Sequence, residues 1–419
     1  MERLPDENGS WFGDSDGDDA TQVVCHVDMD CFYAACERLR EPALRGEPVV
    51  VGMGYEPGES DGAVATASYE AREYGVESAQ AISTALEALP RKIEAATDPD
   101  LTVEDAGFYR PVDMAFYESV AVEVRAVLHR RAETVREVSI DEAYLDADGV
   151  GWGDVEPFAR ELKAAVNREV GVTASVGVAP TMSAAKVASD REKPDGLVVV
   201  EPGQVREFFA PLDVKAVHGV GPVTASELRE MGIGTAGDLA AADPDRLADR
   251  FGERGLAVRR YARGEDDRAV EPTGRPKSLS RESAFSEATA VPARQRERVR
   301  TLAAAVAARA ERKGVLYRTI GIKAVEPPFD VNTRAESLPG PVADPDLVEE
   351  TARSLFEEFV GDPVRKVGVR VSNLSFADRD QASLDSYADA GDGETDPPDL
   401  AGGSGSAAGQ PGQRSLWEF

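Results

Sequence analysis

Long apolar runs are missing from this chain of 419 residues. No stretch reaches the roughly 18 apolar residues that a membrane-spanning helix needs, so that class is excluded. The first residues also lack the basic-then-apolar layout of a secretory leader. They are acidic and glycine-rich, and a cytoplasmic protein is expected. Cysteine is scarce: Cys25, Cys31 and Cys36 are the three in the chain. Their spacing fits no zinc pattern, and one strand-to-helix segment holds them all, which suits buried, reduced thiols. Basic residues are outnumbered, 47 Lys and Arg against 77 Asp and Glu, for a net charge of -30. Residues 1–20 hold seven acids and one base, and residues 377–419 nine acids and two bases, so the ends carry 13 of that excess. Salt screens self-repulsion, and such a surface suits a salt-loving cell. An acidic total does not exclude a local basic path for nucleic acid.

The apolar content is that of a folded soluble protein, and the length calls for two to four domains. Residues 1–20 have little to bury and read as disordered. Within them Asp14, Asp16 and Asp18 have part of a calcium loop's pattern, without its glycine or its closing Glu. Order starts at the apolar run Val23–Val27. Further strand-like runs fall at 47–51, 137–145, 173–178 and 197–200, with helix-like stretches at 117–131 and 157–170. This uneven mixture predicts an α+β fold. A helical, glycine-punctuated region covers 211–267, and a link with Pro, Arg and Lys covers 271–280. Another module with both strands and helices covers 281–376. Residues 377–412 have the composition of a flexible acidic linker. The last seven residues, from Gln413 to Phe419, are not linker-like.

Two segments carry the chemistry. Val27-Asp28-Met29-Asp30-Cys31-Phe32-Tyr33 puts acids at the end of an apolar strand, where burial is costly unless they are paired or bind metal. Ser139-Ile140-Asp141-Glu142-Ala143-Tyr144 interrupts a second apolar strand with two adjacent acids. Neighbours on a strand point to opposite faces, so these two sit at a bend or reach a common ion from two sides. Carboxylates from two strands can hold a pair of Mg²⁺ ions for in-line phosphoryl transfer. Taken singly, each acid reads better as a solvated strand end; taken together, the two segments favour the metal site.

With these segments the chain resembles the Y-family DNA polymerases, from about Val23 to Phe376. The resemblance implies a right-hand polymerase with a ferredoxin-like palm, small fingers, a helical helix-hairpin-helix thumb and an α/β little-finger domain. The palm would span 21–31 and 101–200, the fingers 32–100, the thumb 201–270 and the little finger 281–376. It implies that Asp28, Asp141 and Glu142, with the backbone carbonyl of Met29, hold two Mg²⁺ ions, for which Mn²⁺ could substitute. Asp30 belongs to the motif without being a ligand. Gly62-Ala63-Val64-Ala65-Thr66-Ala67-Ser68-Tyr69-Glu70-Ala71-Arg72 is similar to the family's fingers motif. Tyr69 and Arg72 would share a helix face and reach phosphate, for which the Arg fork is suited. Lys193, in Glu-Lys-Pro-Asp-Gly, is similar to the family's triphosphate lysine. Phe32 and Thr66 would also line the nucleotide site. Tyr33 looks like the steric gate that leaves no room for a ribose 2′-hydroxyl.

His218-Gly219-Val220-Gly221-Pro222 resembles a helix-hairpin-helix, in which Gly219 and Gly221 let main-chain N–H groups meet a phosphate without reading sequence. Lys277 and Arg281 open the last module and would follow the DNA backbone, in company with Arg268, Arg275, Arg318 and Lys323. Gln413, Leu416 and Phe419 fit the spacing of a sliding-clamp peptide, with one terminal aromatic where the usual motif has two. Phosphate contacts weaken steeply in salt, and such a tether raises the effective concentration at the primer end. The expected partners are primer–template DNA, dNTPs and a sliding clamp, with no membrane and the enzyme a monomer. The activity implied is low-fidelity, template-directed DNA synthesis without proofreading. A nucleotidyl cyclase could share the acids, but has no use for the hairpin or the terminal peptide. A non-catalytic DNA scaffold has no use for the acids.

Overall fold

The structure, a computed structural model, describes residues 22–147 and 149–376. The chain divides into two compact units that meet at 275/276. Among the described residues no helix is long and apolar enough to cross a membrane.

The first unit is built on a five-stranded sheet. Its eight strands in chain order are β1 (Val24–Met29), β2 (Val49–Met53), β3 (Ala63–Ala67), β4 (Phe108–Pro111), β5 (Thr134–Glu137), β6 (Glu142–Asp146), β7 (Ala174–Ala179) and β8 (Leu197–Val199). The large sheet runs β5-β6-β1-β7-β8, with β1 antiparallel to both β6 and β7. Strand alternation divides its residues between two faces. Cys25, Val27, Ala143, Leu145, Val176 and Val178 turn to a core shared with the helices Met114–His129 and Val155–Val170. The second of these helices buries Val155, Phe158, Ala159, Leu162 and Val166, a helical repeat, and stops at Gly171 with φ +83°.

The opposite face carries Val24, His26 and Asp28, opposite Asp146, Tyr144 and Glu142 on β6. The helix Met182–Arg191 lies on it. Gly177 lets that helix approach: a Cβ there would stand 2.1 Å from the Ala185 carbonyl oxygen and 2.3 Å from the Ser189 nitrogen. Small residues on both elements therefore bring the helix backbone down onto the strand, over the acids.

Strands β3-β2-β4 form a separate small sheet. Its core includes Val50, Tyr55, Val64, Ile82 and Leu89. The acidic segment 91–107 is closed at its ends, where Arg91 bridges to Gly107 beside β4. The Arg91 guanidinium packs against the rings of Tyr55 and Tyr109, at 5.6 and 5.8 Å, and donates to the Tyr55 hydroxyl.

Residues 205–262 form short helices around Phe209, Leu212, Leu228, Leu239 and Leu247. The second unit is a four-stranded antiparallel sheet of β9 (Ser278–Thr289), β10 (Val315–Glu326), β11 (Asp330–Val342) and β12 (Val364–Phe376), in the order β11-β10-β12-β9. The helices Pro292–Arg312 and Pro345–Phe356 share its core.

Candidate active site

Register brings the acids together. Asp28 and Glu142 are directly opposed on β1 and β6. The run 137–145, strand-like throughout in sequence, is two strands joined by a turn. The Glu142 carbonyl accepts from the Val138 and Ser139 amides. Glu142 therefore starts β6 while Asp141 stays in the turn, which decides for a bend. The Asp141 carboxylate accepts from Ser139 Oγ at 2.5 Å, and its carbonyl accepts from the Met29 amide at 2.9 Å. Met29 is thus tied to the turn that bears Asp141.

Two lysines stand over these acids. Lys193 Nζ is 2.7 Å from Asp28 Oδ2 and 2.8 Å from Asp190 Oδ1. Lys186 Nζ is 3.1 Å from the same Asp28 oxygen and 3.5 Å from Asp190, and also bonds Glu142. Burial alone would raise the Asp28 carboxyl, but Lys193, the hydrogen bond with Glu142 and Lys186 outweigh it and hold its pKa below the ordinary value. Glu142 moves the other way, because burial and its hydrogen bond with Asp28 both favour the proton. One face thus brings two opposed carboxyl groups and two ammonium groups together. Among the described residues no three His, Cys, Asp or Glu side chains are gathered closely enough to hold an ion. Asp28 and Glu142 meet, while Asp141 is engaged by Ser139. The donors are hard carboxylate oxygens with two ammonium groups on them, and their chemistry suits a hard divalent cation.

Lys186 was not singled out in the sequence. Its only signal there is the four-residue step to Asp190, which puts the pair on one helix face. Beneath it, buried His26 shares a 2.8 Å hydrogen bond with Ser189 and meets Tyr144 edge-on at 4.6 Å. Burial first, and then Lys186, drive the His26 pKa well down, so this histidine is neutral.

The residues of the segment 62–72 approach from β3 and the turn after it. Ser68 caps the short helix Tyr69–Glu73 by accepting from the Ala71 amide. Arg72 lies over the Tyr69 ring at 4.5 Å and donates to the Ala67 carbonyl. Thr66 is half-buried on β3. The Tyr69 hydroxyl donates to Asp30 Oδ1 at 3.2 Å. Asp30 is itself 4 % exposed. Burial pushes its carboxyl up, against hydrogen bonds from the Asp195 amide, Ser175 and Tyr69. Phe32 is buried at the start of the helix Phe32–Arg40. Tyr33 is half-exposed and stacks on Tyr117 at 4.7 Å, and the Tyr117 hydroxyl is held by Glu37. Burial, followed by the charge of nearby Asp141, raises the Tyr33 phenol. Tyr33 therefore stands beside the acids with its ring braced from behind.

Gly219 (φ +88°) is exposed and Gly221 starts the helix Pro222–Glu230. The Gly219 carbonyl accepts from Arg254 at 2.8 Å, which pins the turn. In the second unit Lys277 and Arg281 are both exposed. Arg281 is opposite core residue Val369, on the helix-covered side of the edge strand β9. Lys323 and Lys366 lie on the other side, and both pair with Glu282. Gln413, Leu416 and Phe419 lie outside the described residues.

Comparison with known proteins gives consistent matches. Residues 27–190 match the impB/mucB/samB family and residues 276–385 match the C-terminal domain of that family. Residues 212–255 match the SAM-like helix-hairpin-helix tandem. DNA polymerase IV of Halobacterium salinarum is 62% identical over 375 residues, 89% of this chain and 90% of that relative. DNA polymerase IV of Methanoculleus marisnigri is 41% identical, with 88% and 98% covered. A solved Y-family DNA polymerase chimera superposes with a TM-score of 0.72 at 27% identity, covering 84% of this chain and 99% of that one.

Proposed function

Because the chain belongs to the Y-family DNA polymerases, in the DNA polymerase IV group, we propose how its own residues carry out template-directed synthesis. It is a DNA-directed DNA polymerase of the translesion type. The reaction is attack of a primer 3′-hydroxyl on the α-phosphate of a dNTP with loss of pyrophosphate, at low fidelity and without proofreading. Two Mg²⁺ ions, or Mn²⁺ in their place, held by Asp28, Asp141, Glu142 and the Met29 carbonyl, would stabilise the attacking and leaving oxygens of the in-line transfer.

The residues around the acids divide the remaining work. Lys193, Tyr69 and Arg72 receive the triphosphate, with Thr66 and Phe32 lining the same site. Arg72 offers a planar fork and Lys193 a point charge. The Tyr33 ring, braced by Tyr117, fills the space a 2′-hydroxyl needs. Lys186 holds Asp28 and Glu142 together. The thumb turn Gly219–Gly221 grips backbone phosphate through main-chain N–H groups, and Lys277 and Arg281 add charge along the duplex. We assign the palm to 21–31 and 101–200, the fingers to 32–100, the thumb to 201–270 and the little finger to 281–376. Gln413, Leu416 and Phe419 dock on a sliding clamp, tethered by residues 377–412. The enzyme works as a cytoplasmic monomer.

What supports this reading above all is the meeting of Asp28 with Glu142 and Lys193, residues far apart in sequence, on one sheet face. The test is primer extension with Mg²⁺ and four dNTPs at high KCl, comparing the native chain with Asp141→Ala/Glu142→Ala. Extension by the native chain alone, with equal primer–template binding by both, supports the metal assignment. Equal extension by both would overturn it.

A further inference from the structure

Asp30 is the one acid of the first motif to which the reaction gives no role, yet it is buried like Asp28. Its carboxylate accepts three hydrogen bonds from three elements. Oδ1 takes the Tyr69 hydroxyl at 3.2 Å and Ser175 Oγ at 2.9 Å, and Oδ2 takes the Asp195 amide at 2.8 Å. Those donors belong to the fingers helix, to β7 and to the turn that follows Lys193. Ser175 Oγ in turn accepts the Gly196 amide at 3.0 Å. Lys163 fastens the same turn from outside, through the Asp195 and Gly196 carbonyls.

That turn needs fastening. Asp195 has φ +57°, the left-handed region that a residue with a side chain rarely occupies. At Gly196 a Cβ would stand 2.7 Å from the Glu192 carbonyl. A carboxylate that accepts from the Asp195 amide helps to fix this backbone, and with it the direction in which Lys193 leaves the chain. The same carboxylate fixes the Tyr69 hydroxyl. Tyr69 and Lys193 come from different parts of the fold.

We infer that Asp30 is a positioning residue for the nucleotide site, holding the Tyr69 hydroxyl and the Lys193 turn at one spacing so that both meet a single triphosphate. This rests on the proposal that Tyr69 and Lys193 receive the triphosphate. Asp30 touches no reacting atom and acts through those two groups. Asparagine is nearly the same size but turns an amide NH₂ towards a donor, so one arm of the bracket must open. Ser175→Ala removes one donor and leaves the carboxylate in place.

The experiment is steady-state single-nucleotide incorporation by the full chain at high KCl, with melting and primer–template binding measured alongside. Asp30→Asn is expected to raise the KM for dNTP about tenfold, the size of one lost charge-assisted hydrogen bond, with kcat changed roughly twofold or less. Ser175→Ala is expected to raise KM less, in the same direction. Asp30→Asn/Tyr69→Phe is expected to raise KM by clearly less than the product of the single effects, because the residues share one bond. Single effects that multiply in the double variant would overturn the inference, as would a fall in kcat at constant KM. A KM raised by Tyr69→Phe and by Lys193→Ala but not by Asp30→Asn overturns the inference alone. A KM unmoved by Tyr69→Phe and Lys193→Ala overturns the nucleotide-site reading itself.

Discussion

Lys186→Met removes one ammonium from a cluster of acids while keeping a long apolar stem. Lys186 Nζ contacts Asp28, Glu142 and Asp190, and its side chain is 21 % exposed. Removing one partner of a fully buried ion pair costs about 3–5 kcal/mol. Partial exposure, and the 2.7 Å contact that Lys193 keeps with Asp28, reduce this to about 2 kcal/mol. For a unit of this size that is a fall of roughly 4–8 °C in apparent melting temperature. Divalent ions neutralise the same carboxylates, so the deficit measured in chelator is expected to shrink by half or more at saturating Mg²⁺. Lys186→Arg keeps the charge and is expected to recover most of the loss. Scanning calorimetry of the three proteins, in chelator and in Mg²⁺ at constant KCl, gives the answer. A deficit of the same size in both conditions would refute the reasoning, because the lysine would then serve packing rather than charge.

Tyr33→Ala removes the ring beside Asp141 and is expected to raise ribonucleotide incorporation while DNA synthesis persists; unchanged sugar selection in a competition assay rejects the gate. Gly177→Ala forces a Cβ against the backbone of the helix Met182–Arg191, with an expected loss of about 3 kcal/mol in urea unfolding. An unchanged midpoint contradicts the close approach. Asp266 accepts from Arg268 Nε at 2.7 Å and from the Ser183 amide at 2.9 Å. Burial would raise its carboxyl, but Arg268 and these bonds outweigh it and set the folded pKa below the unfolded one. Its stabilising contribution is therefore full above the unfolded value of about 4 and is lost as pH falls through the folded value. Asp266→Asn is expected to be less stable at neutral pH, and to lose less of its melting temperature on acidification below about pH 4. Parallel curves for the two proteins argue against this ion pair.

Legible in the sequence were the acids and the lysine that the structure brings together, Asp28, Glu142 and Lys193. Asp28, Tyr69 and Lys193 each sit in a short local pattern. The bend at Asp141 was legible only as one of two alternatives, since alternation cannot say whether two adjacent acids break a strand. The hydrogen bonds of Ser139 with Glu142 and Asp141 decide it. Lys186 and Asp30 were opaque for another reason. Their roles depend on how a helix rests on a strand and on which groups converge from distant segments, and neither leaves a local trace. The segment 91–107 was opaque as well, because its anchor is one arginine against two tyrosine rings that come from outside the segment.

At Gly177 the helix backbone occupies the volume where any other amino acid would place its β-carbon. Every missense base change in a glycine codon introduces a residue that has one. Genetic drift at this position thus has no small first step, whereas the exposed surface can exchange one acid for another freely. A lineage adapting to salt could rewrite most of its exterior and still carry this glycine unchanged, because what the position supplies to the enzyme is an absence.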